Sequence, residues 1–193
     1  MNNFMTDLET LGVTPGCVIL SIGVIAFDPF AKKVEDIFAD DGARIIVNKQ
    51  SCLDHLLHVD ESTETWWAGQ GAAAKKVLDE AKTGGLLLPD ALNEMVTYVS
   101  EHTNPNTALI WGNGADFDNP ILNVAARHCL MSLPWKWGNR CYRTVKNLHE
   151  FLVPNFKAPP LMRTGTYHDC LDDARNQAVH MWDVLDTLRK RGI

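Results

Sequence analysis

The stretch Val18-Ile19-Leu20-Ser21-Ile22-Gly23-Val24-Ile25-Ala26-Phe27 constrains the fold more than any other, because it is apolar, β-branched and stopped by Asp28-Pro29. A short run of that composition reads as a buried strand. Asn3 to Leu8 and Arg44-Ile45-Ile46-Val47 read as further strands. A helical stretch follows from about Ser62 to Ala81, with a break at Gly69-Gln70-Gly71, and Gly84-Gly85 then stops it. Leu92, Met95, Val96 and Val99 recur at helical spacing behind Pro89-Asp90. Thr107 to Trp111 is a compact strand candidate ending at Gly112-Asn113-Gly114. A helix from Asn119-Pro120 runs to about Leu130, with proline placed where its missing N–H costs nothing. Trp135 and Trp137 flank Lys136 as the apolar face of a strand, and Thr144 to Leu152 reads as a short helix. The last helix carries a stripe of Leu171, Ala174, Ala178, Met181, Trp182, Leu185 and Leu188, with Arg189, Lys190 and Arg191 at its C-terminal end. Strands come early and alternate with helices later, so the class is α/β with a mixed sheet. One domain over residues 1–193 is expected from the length.

The net charge of -6 argues against a protein that coats long duplexes, which needs a basic face. It leaves room for an enzyme that grips a strand end. Five scattered cysteines (Cys17, Cys52, Cys129, Cys141, Cys170) form no CxxC pair. Reduced thiols in a cytoplasm are the simplest reading. No apolar run is long enough to span a membrane. Met1 to Asp7 lacks the basic and apolar segments of a secretory leader.

The chemistry sits in three acidic pieces. Asp7 and Glu9 share one face if they lie on a strand. Two adjacent carboxylates repel, and a hard divalent cation such as Mg²⁺ or Mn²⁺ resolves that repulsion. A solvated turn also accommodates the pair. Asp118 follows a strand and a glycine turn, the kind of strand end where α/β sites collect. Asp116 competes with it, and helix capping suits either. His168 and Asp173 diverge by about 140° if both lie inside one helix. Asp169 as cap and Asp172 in the first turn place His168 ahead of the helix, on a loop, and Asp173 inward with the stripe.

Together, Asp7-Leu8-Glu9-Thr10-Leu11-Gly12, then Asn113-Gly114-Ala115-Asp116-Phe117-Asp118, then His168-Asp169-Cys170-Leu171-Asp172-Asp173-Ala174 resemble the three motifs of the DEDDh exonucleases. These belong to the ribonuclease-H-like superfamily, with polymerase proofreading subunits, ribonuclease T and oligoribonuclease. The match runs over essentially the whole chain. Thr65-Trp66-Trp67 and Gln70 make it most similar to the small bacterial and phage exoribonuclease-like branch. The second motif often opens with His-Asn where Asn113-Gly114 stand here, and Cys170 replaces the usual Ala.

The resemblance implies a mixed central sheet flanked by helices and a 3′–5′ exonuclease. It implies two divalent cations held by Asp7, Glu9, Asp118 and Asp173, with His168 as general base. The substrate is the 3′ end of RNA or single-stranded DNA, the product a 5′-nucleoside monophosphate. Thr10 and Leu11 occupy positions that touch the terminal nucleotide. Homodimers are frequent among such relatives. Trp66 and Trp67 suit base stacking or core packing. Adjacent helical residues point about 100° apart, so one belongs in the core and one nearer the surface. Arg140, Arg143, Lys146 and Arg163 suit phosphate contacts or a solvated face. A catalytically idle binding module on the same fold and a small-nucleotide phosphodiesterase are the competing functions. A histidine–aspartate phosphohydrolase, suggested by His168-Asp169 with His55 and His58, conflicts with the apolar strands.

Overall fold

The two strands that open the chain, β1 (Asn3–Thr10) and β2 (Ile19–Phe27), pair antiparallel, with Asp7 opposite Gly23 and Glu9 opposite Ser21. The computed structural model describes residues 1–152 and 158–192. Every residue of β2 is buried. Burial on both faces explains why that strand shows no polar alternation. On its far side runs β3 (Ala43–Ile46), antiparallel. Beyond β1 lie β4 (Leu109–Gly112), parallel to β1, and β5 (Asn139–Cys141), parallel to β4. The order is β3-β2-β1-β4-β5, a mixed sheet as expected.

Helices cover both faces. Strand alternation sends Phe4 and Leu8 to one side. There they join a core with α1 (Lys49–Asp54), α2 (Glu61–Ala68), α3 (Ala72–Thr83), α4 (Leu88–His102) and α5 (Asp118–His128). Met5, Ile25 and Phe27 face the other way. They pack against Tyr142 of α6 (Tyr142–Leu152) and Ala174, Ala178 and Met181 of α7 (Cys170–Lys190). The stripe read from the sequence is therefore the face α7 lays on the sheet. The break expected at Gly69-Gln70-Gly71 is real: α2 ends at Ala68 and α3 starts at Ala72.

Two local expectations need correction, and one short helix had no expectation at all. Trp135-Lys136-Trp137 is a turn, not a strand. Trp135 is buried, Lys136 sits at φ 36° and Trp137 is exposed, so the chain reverses there and pairing starts only at Asn139. Thr107 does not belong to β4, because Pro105–Thr107 forms a 3₁₀ turn capped by the Asn104 side chain. The one-and-a-half-turn helix α1, capped by Asn48, has too few residues to display a periodicity. Among the described residues no helix is long and apolar enough to cross a membrane.

Candidate active site

Three carboxylates meet where β1 passes under the start of α7. Ligand-capable atoms of Asp7, Glu9 and Asp173 all lie within 4.8 Å of one another. The i, i+2 spacing on β1 aims Asp7 and Glu9 at the face that α7 covers. Asp173 arrives from above. The helix start can come so close because Gly23, opposite Asp7, has no side chain: a Cβ there would stand 2.2 Å from the Cys170 carbonyl oxygen. The Asp169 side chain caps α7 by accepting from the amides of Leu171 and Asp172 at 3.1 and 3.2 Å. Arg44 on β3 grips the other oxygen of Asp169 at 2.6 Å and Glu80 on α3 at 2.7 Å. The cap is thus tied to the sheet from outside.

Asp118 takes a different position from the other three. It is buried, whereas its rival Asp116 is exposed. Its Oδ1 accepts from the Leu8 amide at 3.2 Å and its Oδ2 from the Asn113 amide at 2.6 Å. The paired register of β1 with β4 ends at Met5 and Trp111, so Leu8 lies past the point where the strands part. Asp118 supplies the acceptor that the ladder no longer provides. Gly112 makes room for it, since a Cβ there would meet the Asp118 carboxylate at 2.8 Å.

The electrostatics follow from packing acids together. Burial raises the Asp7 carboxyl well above the ordinary range, and Asp118, Glu9 and Asp173 add to the shift. Glu9 is pushed up to about 8 by burial and then by the charges of Asp173, Asp169 and Asp118. Asp118 and Asp173 are raised by burial too, with backbone amides opposing the shift at Asp118 and Arg163 opposing it at Asp173. A cluster in this condition lacks positive charge.

Asp7, Glu9 and Asp173 floor a cleft of about 490 Å³, which Asp118 does not line. Its walls include Thr10, Val13, Phe117, Trp66, Tyr167 and His168. His168 lies just ahead of the Asp169 cap, as expected, in the left-handed region at φ 62°. Its ring stands edge-on to Trp66 at 5.2 Å and to Tyr167 at 4.7 Å. Burial lowers its pKa below the usual histidine value, which keeps the imidazole neutral and able to accept a proton at neutral pH.

Trp66 and Trp67 divide as helical geometry demands. Trp67 is buried and donates its indole N–H to the Thr10 carbonyl at 2.8 Å; Trp66 is 47% exposed. Truncating them should have opposite signatures. Trp67→Ala should cost about 4 kcal/mol of stability, whereas Trp66→Ala should leave Tm within a few degrees, because its ring is already half in solvent. Thermal unfolding of both variants separates the core ring from the cleft-wall ring. Leu11 has no exposed surface and does not line the cleft. The exposed apolar side chain near Thr10 in the cleft wall is Val13 instead.

Two neighbours escaped the sequence reading. Gln177 donates to Asp7 Oδ1 at 2.7 Å. It sits one helical turn beyond Asp173, on the same face of α7, which is the signal that would have found it. Its own Oε1 is buried without a partner. Arg163, read as a phosphate contact or part of a solvated face and not as a neighbour of the acids, pairs with Asp173. Arg140 and Arg143 are engaged with backbone carbonyls.

Comparisons with known proteins place the chain in a family. The family described as "3'-5' exoribonuclease Rv2179c-like domain" matches residues 2–185. An exodeoxyribonuclease of Enterobacteria phage T4 is 30% identical over 197 residues, covering 90% of this chain and 86% of the phage protein. Two solved structures share the fold. The nuclease domain of 3′hExo, a DEDDh family member bound to rAMP, aligns with a TM-score of 0.61 at 14% identity, covering 96% of this chain and 92% of that one. Cell-death related nuclease 4 (CRN-4) aligns at 0.59 and 13% identity over 96% of this chain, which spans only 64% of that nuclease. The chain therefore shares its fold with these nucleases and belongs to the 3′–5′ exoribonuclease Rv2179c-like family.

Proposed function

We propose that this exonuclease removes 5′-nucleoside monophosphates from the 3′ ends of RNA or single-stranded DNA, with two divalent cations, Mg²⁺ or Mn²⁺, held by Asp7, Glu9, Asp118 and Asp173. The observation that carries the reading is the clustering of three carboxylates, Glu9 and Asp173 buried and Asp7 partly buried, within 4.8 Å on the floor of an open cleft. Their donor set fits the cations. Hard carboxylate oxygens suit Mg²⁺ and Mn²⁺. The raised carboxyl values mark a deficit of positive charge, and the unpartnered Gln177 Oε1 is ready for a bound water. Asp118 gives one lone pair per oxygen to an amide and keeps the rest. When bound, such cations lower the pKa of a coordinated water and offset charge developing on the phosphate.

The remaining work falls to side chains. His168 takes the proton of the attacking water, a task suited to a neutral imidazole at the cleft wall. Gln177 orients Asp7. The half-exposed rings of Trp66 and Tyr167 suit unstacked bases, which a single-stranded end offers and a duplex interior does not. RNA and DNA both belong in the reading, since the family is described by the one and the phage relative by the other. The scattered, unpaired cysteines support a reducing cytoplasm.

A 3′-labelled single strand incubated with Mg²⁺ or Mn²⁺ should lose its label as mononucleotide. Label retained on RNA and DNA alike, with both metals, sinks the reading. His168→Ala should lower kcat by about 10²–10⁴, with metal binding retained. A variant with unchanged kcat would remove His168 from proton transfer.

A further inference from the structure

We propose that Arg163 is a two-position guanidinium. It serves as the counter-ion of the acidic cluster while no metal is bound, and it transfers to the phosphate of the terminal linkage once metal and substrate arrive. The inference rests on the nuclease reading above and assigns a role to a residue outside the three motifs.

The first position is visible. Arg163 Nη1 pairs with Asp173 Oδ1, one of the carboxylates in the cluster. Its charge is also felt at Glu9, whose carboxyl it pulls down against the acids around it. Among the described residues lining the cleft, Arg163 is the one permanent cation. An acidic cluster without metal needs such a partner, because burying several carboxylates with no compensation is costly.

The second position follows from how the residue is held. Its backbone is fixed while its side chain is not. Thr164 exchanges hydrogen bonds with Asn176 on α7, at 3.0 Å from its amide to Oδ1 and 2.9 Å back to its carbonyl. Thr166 donates its amide to Asp172 at 2.7 Å. The segment carrying Arg163 is thus strapped to α7 by two residues that follow it. The side chain is 42% exposed, and its guanidinium carbon lies 4.7 Å from the Tyr167 ring centroid at the rim of the cleft. The Tyr167 face can support it after it leaves Asp173.

Competition forces the exchange. A cation on Asp173 takes the oxygen that Arg163 uses and repels the guanidinium. The next anion within the cleft is then the substrate phosphate, whose oxygens match the planar donor fork of arginine. Arg163 would so offset the mutual repulsion of the acids, and would hold the phosphate only when cations take over that task.

The test separates the two positions. Calorimetric titration of Mn²⁺ alone into Arg163→Gln should show binding roughly fivefold tighter than in the parent, since no guanidinium has to be displaced. The metal-free variant should also melt at lower temperature. In a His168→Ala background, which blocks turnover, binding is then compared for an oligonucleotide with an ordinary terminal linkage and one with a neutral methylphosphonate there. The preference for the charged linkage should fall roughly tenfold when Arg163 is replaced by Gln. Arg163→Lys, which keeps the charge without the fork, should lie between. Mn²⁺ affinity that is equal or weaker in the variant overturns the counter-ion position. An unchanged linkage preference overturns the phosphate position. Tighter Mn²⁺ binding in a protein that degrades no strand would leave the first position standing and remove the nuclease reading instead.

Discussion

Asp7→Asn is expected to lower kcat/KM by about a thousandfold, the equivalent of about 4 kcal/mol of transition-state stabilisation, while raising the stability of the metal-free protein. Both effects have one cause. Asp7 is partly buried beside Asp118, Glu9 and Asp173, and each of those charges adds to the upward push that burial gives its carboxyl. The amide keeps the shape and a donor–acceptor pair for Gln177, but it carries no charge for a cation and none to repel its neighbours. The pH dependence gives the sign. Glu9 has an ordinary value of 4.5 and stands at about 8 in the fold. A carboxyl raised on folding favours the native state most below its unfolded value, and that contribution is lost as pH rises through the folded one. The metal-free parent should therefore be less stable at pH 8 than at pH 5. Asp7→Asn, by lifting part of the repulsion on Glu9, should lose less over the same window. Saturating Mn²⁺ should erase the difference by stabilising the parent more than the variant. Melting curves at the two pH values, with and without Mn²⁺, check this. A variant less stable than the parent at pH 8 without metal would mean that Asp7 is not under electrostatic strain.

The site was legible where local rules fix a side chain. The i, i+2 spacing put Asp7 and Glu9 on one face because β1 is regular up to the irregularity between Glu9 and Thr10. Asp169 as a cap placed His168 outside α7 and Asp173 inside it. The split between Trp66 and Trp67 followed from helical angles alone. What could not be read depends on distant contacts. Leu11 looks like a free apolar side chain beside the motif, yet Gly12 lies so close to Cys17 and Asp60 that the loop folds inward and Leu11 joins the core. Trp135-Lys136-Trp137 alternates like a strand, but the Ala108 carbonyl crowds Gly138 and the chain turns. Arg163 has no local signature, because its partner lies ten residues on and its meaning comes from the acids that β1 adds.

The other large effect comes from a residue with no functional group. Gly23→Ala adds one methyl group in the middle of β2, at a place where backbone conformation permits alanine. The obstacle is the neighbour: the new Cβ would lie 2.2 Å from the Cys170 carbonyl oxygen and 2.6 Å from the Leu171 nitrogen. These are backbone atoms of a capped helix start that Arg44 and the Asp169 side chain hold in place. No rotamer relieves the overlap, so α7 must lift from the sheet. Overpacking of this kind costs about 3 kcal/mol, or about 9 °C in Tm for a chain of this size. The catalytic loss should exceed what the stability loss explains. Asp173 rides on the same helical turn, and a shift of about 1 Å at a reacting centre can cost about a hundredfold in rate. Mn²⁺ affinity should weaken in parallel, because the carboxylates of Asp7 and Asp173 would no longer face each other at binding distance. Gly71→Ala is the matched control, since a Cβ there meets nothing within 4 Å. It should leave Tm, metal affinity and turnover close to parental values. If Gly23→Ala behaves like Gly71→Ala, the close seat of α7 on β2 is not what brings the acids together, and some other contact must hold Asp173 over Asp7.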